Sequence, residues 1–156
     1  MATVGLCTNG IRLAYAPETT SGTKPTTGWK YIPDIVSIPA IGAAPDPIDV
    51  TPLQETEYTQ SVKGLRSAGS TEMTANMTDA FMTAWDAAIE AYGTAESTGK
   101  TLWFAEIHPD NAKAFFWTGE PVELSLPAAS SNTAWQPTPT IIVGRVQGWD
   151  TKPEIE

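Results

Sequence analysis

The sequence holds one cysteine, Cys7, and one histidine, His108, in 156 residues. A single cysteine excludes an internal disulfide framework and a cysteine-rich zinc site. A single histidine excludes His-rich metal clusters and leaves little for acid–base chemistry. Basic residues are scarce: nine Lys and Arg stand against eighteen Asp and Glu, a net charge of −9. A chain so poor in positive charge is not built to wrap nucleic acid by neutralising phosphates, nor to dock on an anionic membrane. No apolar run approaches the ~20 residues of a membrane helix. The N-terminus has neither a charged start nor an apolar core, so no signal peptide is expected and the chain reads as cytosolic at synthesis. There is no G-x-S-x-G, no P-loop, no G-x-G-x-x-G and no D-x-D-x-D-G calcium loop. No metal and no cofactor is expected, and the length suits one domain that folds without either.

Thirteen Pro, twelve Gly and twenty-two Thr favour strands and turns over a helical bundle. A first strand is expected over 10–16, where Ile11, Leu13 and Tyr15 alternate with Arg12 and Ala14. Residues 17–28 are small, polar and punctuated by Gly and Pro, and read as a long polar loop. Residues 29–38 contain Pro33 and are at most an edge strand. After a Gly/Ala/Pro turn region over 41–47, Ile48-Asp-Val-Thr51 is a short strand ended by Pro52. A further strand is expected within 58–65, after a polar, acidic stretch over 54–60. From Ser70 to Met77 the pattern alternates cleanly. Ser70, Glu72, Thr74 and Asn76 fall on a wet face, with Thr71, Met73, Ala75 and Met77 on a buried one.

One segment has a helical period: Phe81, Trp85, Ala88, Ile89 and Tyr92 follow i, i+4, i+7, i+8, i+11. Thr78 or Asp79 can cap its start and Gly93 can serve as C′, so the helix is expected over 79–92, followed by a polar link over 94–99. Residues 101–107 are apolar on both faces, as for a strand between two layers. Residues 112–117 return as a hairpin after a turn at 109–111. Val122, Leu124 and Leu126 alternate as in a strand, 128–139 reads as loop, and 140–146 is the closing strand. This gives one domain over 1–147 and a charged, flexible tail over 148–156. The fold class is mainly β, a β-sandwich or distorted barrel with one flanking helix, because one helix cannot cover both faces of two sheets.

Candidates for chemistry are few. Cys7 and His108 are the only Cys–His pair, lie far apart in sequence, and have no family signature around them; a lone Cys is ordinarily a small buried hydrophobe. Glu55 with Glu57, and Asp46 with Asp49, are spaced as carboxylate pairs, but nothing marks the apolar cleft that would raise one pKa, and they read as solvated acids. Of six Trp, Trp85 and Trp103 read as core. Trp29, Trp117, Trp135 and Trp149 lie at strand ends or in loops, where sugar stacking competes with the favoured reading, core and subunit-interface packing. Asn76-Met-Thr78 matches the glycosylation pattern and carries no weight without a secretion signal. No enzymatic activity is expected. Half-wet strands, polar loops and negative charge are what an assembly subunit carries.

The runs Ile32-Pro-Asp-Ile-Val-Ser-Ile-Pro39, Pro47-Ile-Asp-Val-Thr-Pro-Leu53 and Ser61-Val-Lys-Gly-Leu-Arg-Ser-Ala-Gly69 resemble the major tail (tail tube) proteins of long, non-contractile-tailed bacteriophages. The helical segment, Leu102-Trp-Phe-Ala-Glu-Ile107, Ala114-Phe-Phe-Trp-Thr-Gly119 and Ile142-Val-Gly-Arg-Val146 follow in the order of that family. The resemblance covers residues 31–147 and rests on the ordered set rather than on any one motif. It implies a phage tail tube-like β-sandwich subunit that forms rings, usually hexameric, stacked into the hollow tail tube through which DNA passes into the host without specific binding. It also implies a virion location after assembly in the host cytoplasm, and tape-measure, tail-terminator and tail-tip proteins as partners. An acidic lumen suits passage of DNA, because each Lys or Arg would be a salt-dependent brake. Loops 17–28 and 54–60 become candidates for contact between stacked rings. Asp49, Glu55, Glu57, Glu72 and Thr74 become the lumen-facing or ring-stacking candidates. Departures from the family are the long insert before Trp29 and the lack of a second module in this sequence.

Alternative readings are the tube of a contractile tail or of a type VI-like secretion system, which shares the fold, and a carbohydrate-binding β-sandwich using Trp29, Trp117 or Trp135. A Cys–His hydrolase is the enzymatic competitor, and it predicts that Cys7→Ala abolishes an activity.

Overall fold

The computed structural model describes residues 5–42 and 44–155. Residues 1–4, on which the expectation of no signal peptide falls, Ala43 in the turn region and Glu156 in the tail lie outside them. Among the described residues the elements in chain order are β1 (Arg12–Pro17), β2 (Lys30–Ile32), β3 (Ile35–Ser37), β4 (Pro47–Asp49), β5 (Ser61–Lys63), β6 (Ser70–Glu72), β7 (Thr74–Ala75), α1 (Asp79–Ser97), β8 (Leu102–Ile107), β9 (Lys113–Pro121) and β10 (Thr140–Thr151). Six strands form an antiparallel sheet in the order β2-β1-β8-β9-β10-β6, while β3 pairs β7 and β4 pairs β5 in two small sheets. The sheet curls into a half-barrel, and β10 carries irregularities between Val143 and Arg145 and between Val146 and Gly148, where an extra residue bends the strand.

The sheet is apolar on both sides. Leu13, Tyr15, Leu102, Phe104, Trp117, Ile141 and Val143 face α1 and pack with Phe81, Trp85 and Ala88. Ala14, Ala16, Trp103, Ala105, Ala114 and Phe116 form a second cluster with Trp29 on the opposite side. The strand expected over 10–16 is observed as β1, and Leu13, Ala14, Tyr15 and Ala16 are all buried, because alternate residues feed two cores. The double-faced burial expected for 101–107 is observed in β8.

The helix starts where its capping chemistry lies. The Thr78 hydroxyl accepts from the Phe81 N–H (3.2 Å) and donates to the Asp34 carboxylate, which fixes the helix start against the β2–β3 link. Its end differs from expectation. Gly93 lies inside α1, and Gly99 (φ 74°) takes the C′ position, with Lys100 N–H donating to Ala95 O and Gly99 N–H to Glu96 O. A mid-helix glycine costs only about 1 kcal/mol, and the further turn buries Ala95.

Two other expectations are corrected, and the loop expected over 128–139 is observed. Residues 122–126 form no strand: β9 ends at Pro121, and the Val122 carbonyl accepts the Trp85 indole N–H (2.9 Å) instead of a ladder partner. Within the loop 128–139, residues 135–139 run beside residues 73–77. The Met73, Ala75 and Met77 N–H groups donate to the carbonyls of Pro139, Pro137 and Trp135, and two of those partners are prolines with no N–H to return. The tail expected from Gly148 onward is instead paired to Thr151. Trp149 packs edge-on against Phe115 (5.3 Å), Lys152 N–H donates to Ala112 O, and Ile155 bridges Trp29.

Two glycines test this packing with opposite signs. A Cβ at Gly119 would collide with the Ile141 side chain and meet the Ile142 carbonyl at 3.1 Å, whereas a Cβ at Gly93 meets nothing within 4 Å. Gly119→Ala should lower unfolding free energy by about 1–3 kcal/mol through overpacking. Gly93→Ala should raise it by roughly 0.5–1 kcal/mol. Chemical denaturation of both variants measures the two shifts.

Candidate assembly surfaces

Among the described strands, only β4 and β5 are exposed at every residue. Their ladder pairs Pro47 with Lys63, Ile48 with Val62 and Asp49 with Ser61. It continues through Val50 N–H to Gln60 O (2.9 Å) and Gly64 N–H to Asp46 O (2.7 Å). All six strand residues are exposed. Apolar side chains stand in solvent along it: Leu53 is fully exposed, Leu65 is 90% and Tyr58 77% exposed, and Ile48, Val50 and Val62 are about half exposed. A two-stranded hairpin is marginal alone, and contiguous exposed apolar side chains of this kind are uncommon on a protein surface. Glycine is required at the base, where a Cβ at Gly64 would sit 2.6 Å from the Asp46 carbonyl.

The five acids and hydroxyls singled out from sequence fall into two groups. Asp49, Glu55 and Glu57 belong to the hairpin. The Asp49 carboxylate accepts from the Thr51 hydroxyl (2.6 Å) and N–H (2.9 Å), and Thr51 Oγ1 in turn accepts the Gln60 N–H (2.7 Å). The Glu55 carboxylate folds back on its own tip, accepting the N–H of Thr56 and Glu57 at 3.0 Å. Asp49 and Glu55 thus organise the hairpin, while Glu57 is exposed beside them. Glu72 and Thr74 form the second group. Glu72 is exposed on β6, at one edge of the large sheet, opposite Thr140; Thr74 is half-buried on β7, opposite Ser37. The expected alternation holds, since Thr71, Met73 and Ala75 are buried and Ser70, Glu72 and Asn76 exposed. The run is split at Met73, so its two halves serve different sheets. Glu120 and half-exposed Ile142, paired across β9 and β10, extend this outward surface.

Loop 17–28 is not a free arm. Glu18 is buried, accepting the Trp103 indole N–H (2.8 Å) and the N–H groups of Thr101 and Gly22. Lys24 pairs with Asp150 at 2.6 Å and lies over the Phe116 ring, and the Trp29 indole donates to Pro25 O (3.0 Å). The loop therefore covers the second face of the sheet. Trp29 and Trp117 are fully buried, so neither offers a sugar platform; Trp135 and Trp149 keep 47% and 63% of their surface exposed.

Cys7 and His108, read as distant, meet in space. His108 Nε2 lies against the Cys7 main-chain carbonyl and Nδ1 accepts the Asp110 N–H (3.0 Å). The Nδ1 contact leaves Nε2 as the protonated nitrogen, so both nitrogens are engaged by main chain rather than by the thiol.

The two hairpin carboxylates give a pH dependence. The Thr51 hydroxyl, with its N–H, holds the Asp49 carboxyl below its ordinary value of 3.8; the Glu57, Tyr58 and Thr56 N–H groups hold that of Glu55 below 4.5. Groups with depressed values stabilise the folded hairpin above those unfolded values, and that contribution is lost as pH falls through the lower folded ones. In an NMR titration the Thr51, Thr56 and Glu57 amides should shift with midpoints below 3.8 for the Asp49 turn and below 4.5 for the Glu55 tip. Midpoints at the ordinary values would mean that the carboxylates are free.

No protein-family model matches the chain, and no curated protein matches its sequence. Among solved structures, a chain in the cryo-EM structure of the anti-feeding prophage baseplate, six-fold symmetrised, matches with a TM-score of 0.55. The match covers 98% of this chain and 98% of that one at 10% identity. At that identity the likeness is one of fold: a mainly β chain, a curled sheet and one helix, the phage tail-type class expected from the sequence.

Proposed function

We propose that this chain is a non-enzymatic structural subunit of a phage tail or tail-like particle, which associates with its own copies into rings stacked around a channel. The observation that carries this reading is the β4–β5 hairpin, ordered by its own hydrogen bonds yet holding Leu53, Tyr58 and Leu65 in solvent. The likeness to a baseplate chain supports a tail setting, and the six-fold symmetrisation of that particle supports six subunits per ring. Closing a ring or stacking a second one would cover the hairpin and the open edges of the large sheet. The exposed acids Asp49, Glu57 and Glu72 are proposed to face the channel or the next ring, where negative charge leaves DNA free to slide. Tape-measure, terminator and tail-tip proteins are the proposed partners, and the virion the proposed location.

The baseplate likeness favours a second reading, a ring subunit at the end of a tail rather than along its length. It also keeps the tube of a contractile tail or secretion system beside the non-contractile tube implied by the sequence motifs.

Negative-stain electron microscopy across concentrations, with solution mass alongside, tests the proposal. Stacked rings or tubes with a central channel are expected, either alone or with tail-tip proteins added. A monomer under both conditions overturns it, and single unstacked rings favour the baseplate reading. The triple substitution Leu53→Ser, Tyr58→Ser, Leu65→Ser should raise the concentration needed for assembly by about 100-fold or more, from roughly 1–2 kcal/mol per uncovered side chain. The monomer's melting temperature should hardly move, because these side chains touch no core.

A further inference from the structure

A cavity of about 370 Å³ opens on the α1 side of the sheet, near one end of β8 and β9. Its walls include Ile11, Ile38 and Ile41, the Phe115–Trp149 edge-on pair, and the Glu106 side chain. Glu106 is the misfit. On β8 it continues the register of Leu102 and Phe104, both buried in the core under α1, so its carboxylate points to the apolar side. Among the described residues no hydrogen bond or ion pair engages it, and burial alone pushes its carboxyl above the ordinary 4.5. The other charged groups at the cavity do not compensate it. Lys113 lines the wall without an ion pair to Glu106, and both His108 ring nitrogens are engaged by main chain.

We propose that this cavity is a binding site for an organic cation, a guanidinium or alkylammonium group held between the Glu106 carboxylate and the Phe115–Trp149 wall. A half-buried carboxylate without a partner is relieved by a counter-charge. Aromatic faces add attraction for cations, most for weakly hydrated ones such as guanidinium. The volume suits a side-chain-sized group and lies within the range of ordinary ligand pockets. A hard metal ion is a poor occupant, since no group of three or more metal-binding side chains occurs among the described residues, and such ions require several oxygens. The cation comes either as a free amine or guanidine, or as a Lys or Arg of a second copy. The site stands independently of ring formation.

The test is an NMR titration of the isotope-labelled protein with butylguanidinium and butylammonium chloride, and with uncharged butylurea as control. Saturable shifts at Glu106, Phe115 and the Trp149 indole are expected, with a Kd on the order of 1 mM for the cations. Butylurea should give none. Glu106→Gln should weaken binding about tenfold or more. Trp149→Leu, on a mostly exposed side chain and with no change of charge, should weaken it too. Absence of localised shifts, equal binding of butylurea, or unchanged affinity in both variants overturns the proposal. Self-association of the same variants then separates the sources: weaker association means that a second copy supplies the cation, and unchanged association means a free molecule.

Discussion

The central strands β1, β8 and β9 carry apolar side chains on both faces, and the described residues hold one helix with which to cover them. That constraint arranges the rest. Helix α1 takes one face with Phe81, Trp85 and Ala88, and the Trp85 indole reaches past the end of β9 to the Val122 carbonyl. The other face is closed by irregular chain. Trp29 inserts beside Phe116, and the loop before it is pinned by the buried Glu18 and by Lys24 against Asp150. A carboxylate buried with three donors is stable only while all three stay in place. Glu18 therefore makes the loop a structural lid, although its composition is that of a mobile one.

How much of this was legible depends on sequence distance. The helix declared itself through period 3.6, and β6–β7 through period 2, because both signals are local. The helix passes the glycine signal at Gly93 and ends at the one of the same kind at Gly99, and only the burial of Ala95 decides between them. The lid was not legible at all. Its bonds join residues 85 and 126 positions apart, and nothing in a polar segment announces such partners. The hairpin was half legible: both strands were marked, but not the Thr51–Gln60 contacts that pair them.

The candidate site shows the same limit in another form. Sequence places acids on wet faces correctly, as with Glu72, but not what each carboxylate does once there. Asp49 and Glu55 spend their lone pairs on their own turns, so their first role is to shape the hairpin. Glu106 was hidden by the opposite error. It lies in a run read as apolar throughout, and the available signal was its parity with Leu102 and Phe104: an acid in register with the core.

The scarcity of basic residues takes on meaning in this arrangement. Two of the nine, Arg12 and Lys24, lie over the rings of Tyr31 and Phe116, and Lys24 is also neutralised by Asp150. Cations held this way serve the fold, where an aromatic face and a carboxylate satisfy them together. Exposed acids such as Glu57, Glu72 and Glu120 have no such inward task. For a subunit proposed to line a channel, that division is physically coherent. Positive charge on the wall would release counterions and hold a phosphate backbone in place, whereas unpaired carboxylates repel it. The same unpaired acids disfavour close approach of like faces. In the proposed assembly, association falls to the β4–β5 hairpin, where apolar groups are exposed and two of the three nearby carboxylates, Asp49 and Glu55, are occupied by their own turns while Glu57 stays free.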